Sequence, residues 1–192
     1  MKTFKRSLRV FLIILLAIAV GLAVNAIWSA VEQATHPTPY HDTVSRYSEE
    51  YGVPKELIYA VIKTESDFDP NAVSYVGASG LMQMMEGTFS DVNEYLGMDH
   101  SYDDLFTPEV SIQYGTYYLR YLYDMFGNWH HVIAAYNGGL GNVRKWLANP
   151  EYSDGEGNLT YIPFEETRSY VQKVERAMEV YRDLYFSNEK GD

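Results

Sequence analysis

The segment Leu57-Ile58-Tyr59-Ala60-Val61-Ile62-Lys63-Thr64-Glu65-Ser66, running on through Asp67-Phe68-Asp69-Pro70 to Gly77-Ala78-Ser79-Gly80-Leu81-Met82-Gln83, decides how this chain reads. Leu57, Ile58, Val61 and Ile62 fall at the three- and four-residue spacing of a helix with one apolar stripe. Glu65 stands where that stripe calls for its next apolar residue, and Asp69-Pro70 stops the helix just after it. A glycine-punctuated turn, Gly77 to Gly80, leads into Leu81-Met82-Gln83. A carboxyl on a core stripe loses hydration, which disfavours its ionised form and raises its pKa. An acid still protonated near neutral pH is what protonation of a poor leaving group requires. The same position also suits a glutamate that reaches water from the helix end or caps a neighbouring helix.

Working outward, the signals are helical. Asp42 or Thr43 can cap a helix to about Tyr51, stopped by Gly52, and Pro54 suits the first turn of the next. Further helices are expected from Thr88 to Leu96, from Thr107-Pro108 to Phe126, from Trp129 to Tyr136, from Asn142 towards Leu147 and from Phe164 to Phe186. The polar stretch from Asn149 to Asn158 reads as a surface loop, with at most a short extended piece near Tyr161. No stretch sustains two-residue alternation. The fold class expected is all-α.

Towards the N-terminus, Val10 to Val24 is uninterrupted apolar residues and glycine, and Leu8 to Trp28 gives the roughly 20 residues that cross a bilayer. Lys2, Lys5, Arg6 and Arg9 precede this run and Glu32 comes after it, which orients the N-terminus to the cytoplasm and places Trp28 at the outer interface. A cleaved signal peptide ending near Val24-Asn25-Ala26 competes with an uncleaved anchor, and either one exports the rest of the chain. Ala34 to Tyr40, with two prolines, reads as a linker. The expected organisation is a basic tip and signal anchor over 1–30, a linker over 31–41 and one domain over 42–188. The domain then sits on the extracytoplasmic face of a single-pass membrane protein.

Composition narrows the function. Across 192 residues, 15 basic against 26 acidic residues give −11, and without the four N-terminal cations the remainder stands at −15. Such a body is repelled by phosphate backbones, so nucleic acid is excluded as a partner. With no cysteine there is no disulfide, thiolate nucleophile or zinc–thiolate site. The 18 tyrosines suit half-wet contacts such as sugars, although many tyrosines simply cover helix faces.

Three further groups join Glu65. Ser74 to Gln83 combines small residues that let a backbone approach a ligand with the Ser74 hydroxyl and the Gln83 amide. Ala134-Ala135-Tyr136-Asn137-Gly138-Gly139 ends an apolar helix in an aromatic, an amide and glycines; its plain reading is a C-cap with Asn137 or Gly138 left-handed. Ile162 to Val171 opens a helix with Glu165 and Glu166, a favourable placement for the helix dipole.

In this order the four groups resemble the catalytic domain of soluble lytic transglycosylases, which has a goose-type-lysozyme-like fold. The family pattern is met by Glu65-Ser66, by Gly77 to Gln83, by Ala135 to Gly139 and by Glu166 to Val171, and the likeness covers residues 43–186. It implies a compact lysozyme-like domain that cleaves the β-1,4 bond between N-acetylmuramic acid and N-acetylglucosamine in peptidoglycan. It implies cleavage without water, leaving a 1,6-anhydro-muramyl end, and no cofactor or metal. By resemblance Glu65 is the single acid and then base, and Ser74 contacts the substrate acetamido group. Gln83 and Met85 lie in the glycan groove, Tyr136 packs near the carboxyl, Asn137 positions substrate and Glu166 supports the site.

One buried acid without an evident partner agrees with a substrate that supplies its own nucleophile, because common glycosidases use two carboxylates. Asp67 and Asp69 are close in sequence but are expected to turn away, while Glu86 and Glu166 are open as second carboxylates. Glu86 stands where the family often has proline, and Gly138 where alanine is usual. The expected partners are peptidoglycan strands and the cytoplasmic membrane, with an envelope machine as a weaker expectation from architecture. A lysozyme-type hydrolase and a non-catalytic glycan-binding envelope protein are the alternatives.

Overall fold

The structure is a computed structural model that describes residues 2–187, with side chains described from Phe11 onward. Position 188 of the expected domain and the side chains of Lys2, Lys5, Arg6 and Arg9 lie outside the described residues. The chain separates into two compact units, Met1–Pro37 and Thr38–Asp192.

The first unit is one helix, α1 (Lys2–Thr35). Its segment Phe11–Thr35 is long and apolar enough to cross a membrane, and none of that stretch is buried by protein. The helix continues through Val31-Glu32-Gln33-Ala34-Thr35, into the stretch expected to be linker. No proline or glycine interrupts these residues before Pro37, so the backbone has no cause to stop earlier. At Trp28 the indole N–H donates to Glu32 Oε1 one turn on, at 2.8 Å.

The second unit is built from α2 (His41–Tyr51), α3 (Lys55–Ser66), α4 (Glu86–Leu96), a 3-10 turn (Tyr102–Phe106), α5 (Pro108–Phe126), α6 (Trp129–Gly138), α7 (Leu140–Leu147) and α8 (Glu165–Tyr181). A π turn, Arg182–Phe186, comes after α8. Among the described residues there is no strand beyond isolated bridges: Val73 with Ser79, Ser79 with Met84, and Ser153 with Leu159. The all-α expectation holds.

α3 lies at the centre. Leu57 to Ile62 are six consecutive buried residues, so this helix is enclosed all round rather than along one stripe. α8 covers it along its length, and α5 packs on α2 and α6. At the end of α8, Tyr181 stacks on the Tyr59 ring at 5.3 Å between centroids, and Phe186 of the following turn stacks on it at 6.0 Å. Each such side chain, fully buried, contributes about 1.5–3 kcal/mol by leaving water. α2 is clamped to α5 by one carboxylate: Glu109 accepts from the Tyr47 hydroxyl at 2.6 Å, from Thr43 at 3.2 Å and from Arg46. A smaller cluster of Met84, Phe89, Val92, Leu105, Val110 and Tyr114 seats α4 and the 3-10 turn. The long segment 67–85 crosses between α3 and that smaller cluster, and it carries the turn expected to face Glu65.

Candidate active site

Glu65 sits in the last turn of α3, where the helix emerges from the core. Asp67 ends the helix in a left-handed conformation (φ 48°), and Phe68 repeats it (φ 68°). Two successive non-glycine residues there cost on the order of 1–3 kcal/mol each and persist only because the surroundings hold them. The carboxyl opens onto a cleft but is walled by protein, and this burial pushes its pKa up to about 7. Tyr170 of α8 faces it from the core. The Tyr170 hydroxyl is buried and meets no partner in hydrogen-bond geometry, yet it lies close enough to favour the carboxylate slightly and offset part of the burial effect. Burial and the nearby carboxyl together hold the Tyr170 and Tyr136 phenols far above their ordinary pKa, so both stay neutral.

The turn opposite is assembled by hydrogen bonds that its own sequence supplies. Ser66 Oγ donates to Leu81 O at 2.8 Å, joining the end of α3 to the turn. Ser74 N–H donates to Ala78 O, and Ala78 N–H donates to Ser74 Oγ, both at 2.9 Å. Gln83 has a left-handed backbone (φ 46°), and its Nε2 donates to Ala72 O and Gly80 O at 2.9 Å. The Gln83 amide nitrogen thus builds the turn, which leaves its oxygen for other contacts. Gly80 is needed twice over: its φ is +77°, and a Cβ would fall 2.2 Å from Leu105 O. The Tyr102 hydroxyl lies 2.7 Å from Gly77 O and 2.8 Å from Met84 O, bridging the two arms of the segment.

From the third side comes the end of α6. The Tyr136 hydroxyl donates to Met82 O at 2.9 Å. The cap differs from expectation: α6 runs through Gly138, and Gly139, not Asn137 or Gly138, carries the positive φ (85°). Gly139 N–H still reaches Ala135 O at 2.9 Å, and Asn142 Nδ2 donates to Gly138 O at 2.8 Å. The helix therefore runs on past Asn137 before it breaks, which leaves the Asn137 side chain facing the cleft.

These three sides enclose a cavity of about 300 Å³ lined by Glu65, Ser74, Gln83, Met85, Tyr136, Asn137 and Glu166 together. The structure thus brings these seven residues, each named from the sequence, to one place. It adds Tyr75, Val76 and Ala78, whose only sequence signal is their position inside the Ser74–Gln83 motif. Two neighbouring cavities extend it. One, of about 190 Å³, shares Gln83, Met85, Tyr136 and Asn137 and adds Thr88 and Tyr118. The other, of about 520 Å³, shares Asn137 and Glu166 and runs along Pro163 and Phe164 at the start of α8. Asn137 lines all three, so the whole is a groove with Glu65 near its middle.

Glu166 is the second carboxylate lining the Glu65 cavity. The acids nearest in sequence are engaged elsewhere: Asp67 pairs with Lys63 at 2.7 Å, and Asp69 accepts from Asn71 N–H at 2.9 Å. Glu86 opens α4 and does not line this cavity. In the sequence Tyr170 stands inside the Glu166–Val171 group and on the apolar face of α8, with no role of its own assigned. Its spacing of four from Glu166 is the available signal that it shares the site-facing side of the helix.

The chain is similar to known proteins in sequence and in fold. The family profile described as "Transglycosylase SLT domain" matches residues 42–158. The soluble lytic murein transglycosylase of Escherichia coli (strain K12) is 38% identical over 169 residues, covering 85% of this chain and 26% of that protein. The membrane-bound lytic murein transglycosylase C of Cronobacter sakazakii (strain ATCC BAA-894) is 31% identical over 192 residues, covering 87% of this chain and 52% of that one. Among solved structures, the 70 kDa soluble lytic transglycosylase from Escherichia coli superposes with a TM-score of 0.74 at 38% identity, covering 82% of this chain and 26% of that one. An inactive mutant of lytic transglycosylase Slt from Pseudomonas aeruginosa gives 0.71 at 33%, covering 80% of this chain and 26% of that one. The chain thus spans about a quarter of the length of the soluble relatives and about half that of the membrane-bound one.

Proposed function

The chain belongs to the Transglycosylase SLT domain family, and from that footing we propose that it is a membrane-anchored lytic transglycosylase. In this reading it cleaves the β-1,4 bond between N-acetylmuramic acid and N-acetylglucosamine in peptidoglycan. The observation that carries the proposal is the Glu65 carboxyl, held at a pKa of about 7 at the middle of a groove. At that pKa the group is about half protonated at neutral pH, so it can give a proton and take one back without a large penalty in either direction.

The chemistry balances on one residue. Glu65 gives its proton to the glycosidic oxygen as the bond from muramyl C1 breaks, and the N-acetylglucosamine part leaves with a free hydroxyl. The muramyl C6 oxygen then bonds to C1, and its proton passes to the Glu65 carboxylate. The product is a 1,6-anhydro end, no water is consumed and Glu65 is restored. Ser74 is proposed to bind the acetamido group, with Gln83 and Met85 along the strand. Asn137 and Glu166 orient the sugar, and Tyr136 holds the wall beside the acid. Residues 1–30 serve as anchor with the N-terminus in the cytoplasm, residues 31–41 as linker, and residues 42–188 as the catalytic domain outside. The names of the membrane-bound relatives and the apolar helix α1 support the anchoring.

The test is the mass of products from purified peptidoglycan with wild type and Glu65→Gln. The expected wild-type product is an anhydro-muropeptide, and the variant is expected to fall by at least about a hundredfold. Products heavier by one water would make the protein a hydrolase, for which Glu166 is the carboxylate available to activate water. Full activity in Glu65→Gln would remove Glu65 from its role.

A further inference from the structure

We propose that the loop 149–161 is a flap latched to α6 by the neutral imidazole of His131, and that protonation of this ring in mild acid releases it. The device is separate from the Glu65 groove and stands whether or not that groove cleaves glycan. His131 lies in the first turn of α6 and is only 3% exposed. Leu159 N–H donates to its Nε2 at 3.3 Å. A peptide N–H cannot accept, so Nε2 is the lone-pair nitrogen and the neutral ring carries its proton on Nδ1. Other hydrogen bonds of the loop close it on itself. Asp154 accepts from the Glu156 and Asn158 N–H groups at 2.8 and 3.0 Å, and Thr160 N–H donates to Tyr152 O at 2.8 Å. The bond to His131 fastens this closed loop to the helices. At its far end Ile162 is buried, and Arg168 Nη1 donates to Ile162 O at 2.7 Å, which places the hinge between Tyr161 and Ile162. Beneath the flap is a cavity of about 250 Å³, with Leu159, Thr160 and Tyr161 on the loop side and His130, Gln172 and Glu175 on the helix side.

The surroundings of the ring set the direction of the switch. A proton on Nε2 would put two donors face to face and a charge in a buried site, at the positive end of the α6 dipole. The His130 ring, 6.1 Å away on the same helix, also opposes that charge, and its Nδ1 pairs with Glu175 Oε1 of α8 at 2.7 Å. Phe126 of α5 presents an apolar ring at 6.2 Å, and Arg168 of α8 is turned to Ile162 O and the Tyr161 ring. Asp154 of the loop pulls the other way, and its hydrogen bonds with Asn158 and Glu156 keep it ionised in mild acid. Burial is the largest of these effects and holds the imidazole below its ordinary 6.5. Release returns the ring to water and to that ordinary value. The released loop therefore binds more protons below pH 6.5, and acid drives the flap open.

The experiment uses the full chain in detergent micelles and reads amide hydrogen exchange of residues 152–161 between about pH 7.5 and about pH 5, corrected for the intrinsic rate at each pH. In wild type these amides should lose protection by about fivefold to tenfold on acidification, the range for one hydrogen bond, while residues 57–62 of the core keep theirs. His131→Gln, whose amide oxygen accepts but does not titrate, should keep the flap protected throughout. His130→Gln removes an opposing charge and should move the release to higher pH. Unchanged protection in wild type overturns the proposal, and so does a loss in His131→Gln equal to that in wild type. Should His131→Gln fail to fold, nitrogen NMR of the wild-type imidazoles decides. The expected His131 ring carries its proton on Nδ1 at neutral pH and titrates with a midpoint below 6.5. A proton on Nε2 at neutral pH, or a midpoint above that value, removes the latch.

Discussion

Ser66 Oγ donates to Leu81 O at 2.8 Å. This bond ties the residue after the candidate acid to the turn that forms the opposite wall of its cavity. The carbonyl one residue on, that of Met82, accepts from the Tyr136 hydroxyl at 2.9 Å. Two adjacent peptide units thus fasten α3 and α6 to the same turn, and they set the position of Glu65 relative to Gln83 and Asn137.

The raised pKa of Glu65 carries a stability consequence. Unfolded, the carboxyl ionises near 4.5, whereas folded it holds its proton to about 7. The folded state binds more protons between those values, so stability is fully present below pH 4.5 and is lost as pH rises through 7. The gap of about 2.5 pH units corresponds to a loss of about 3 kcal/mol. Glu65→Gln, which cannot ionise, should therefore raise Tm relative to wild type at pH 8, with the difference vanishing at pH 4. Thermal unfolding of both proteins across that range checks the sign.

Tyr170→Phe should shift the pH profile of activity. The Tyr170 hydroxyl lowers the Glu65 pKa somewhat, and removing it leaves burial unopposed. The alkaline limb of kcat/KM, set by loss of the Glu65 proton, should move to higher pH. Because the hydroxyl has no hydrogen-bond partner, its removal should change stability by less than about 1 kcal/mol. A limb that stays in place would show that the hydroxyl does not act on the carboxyl.

Gly80→Ala should be among the most damaging single changes in the turn. It forces an L side chain into φ +77° and drives its Cβ into Leu105 O. The expected cost is about 2 kcal/mol or more, read as a lower urea midpoint. Activity should fall as well, because the shift displaces Gln83 and the Ser66–Leu81 link.

Glu109→Ala should loosen α2 without touching the groove. It leaves the hydroxyl of buried Tyr47 and the Arg46 guanidinium without their shared acceptor. A loss of about 1–3 kcal/mol is expected, with the m-value unchanged if unfolding stays two-state. Hydrogen exchange should report the loosening first in residues 41–51.

Much of the fold is legible in the chain because helical periodicity is a local property. The apolar spacing of α5, the proline at its start and the stop at Gly52 each act within a few residues. The positive-φ cap of α6 lies at Gly139 rather than at Asn137 or Gly138, because a cap depends on which carbonyl each N–H reaches, and Gly139 N–H reaches Ala135 O. Tyr170 carries no role of its own in the sequence because it shares an apolar stripe with Val174 and Tyr181. Only the packing of α8 on α3 puts one member of that stripe against a carboxyl.

The sequence by itself determined the helical class, the membrane-length run at Leu8–Trp28 and the order of the motifs around Glu65. The tertiary structure decided which acids share a cavity. Asp67 and Asp69, close to Glu65 in the chain, are turned away by the left-handed end of α3 and held by Lys63 and Asn71. Glu166, a hundred residues on, is carried to the cavity by α8. Backbone direction at a helix end and the packing of distant helices set those positions, and neither is written in the spacing of neighbouring residues.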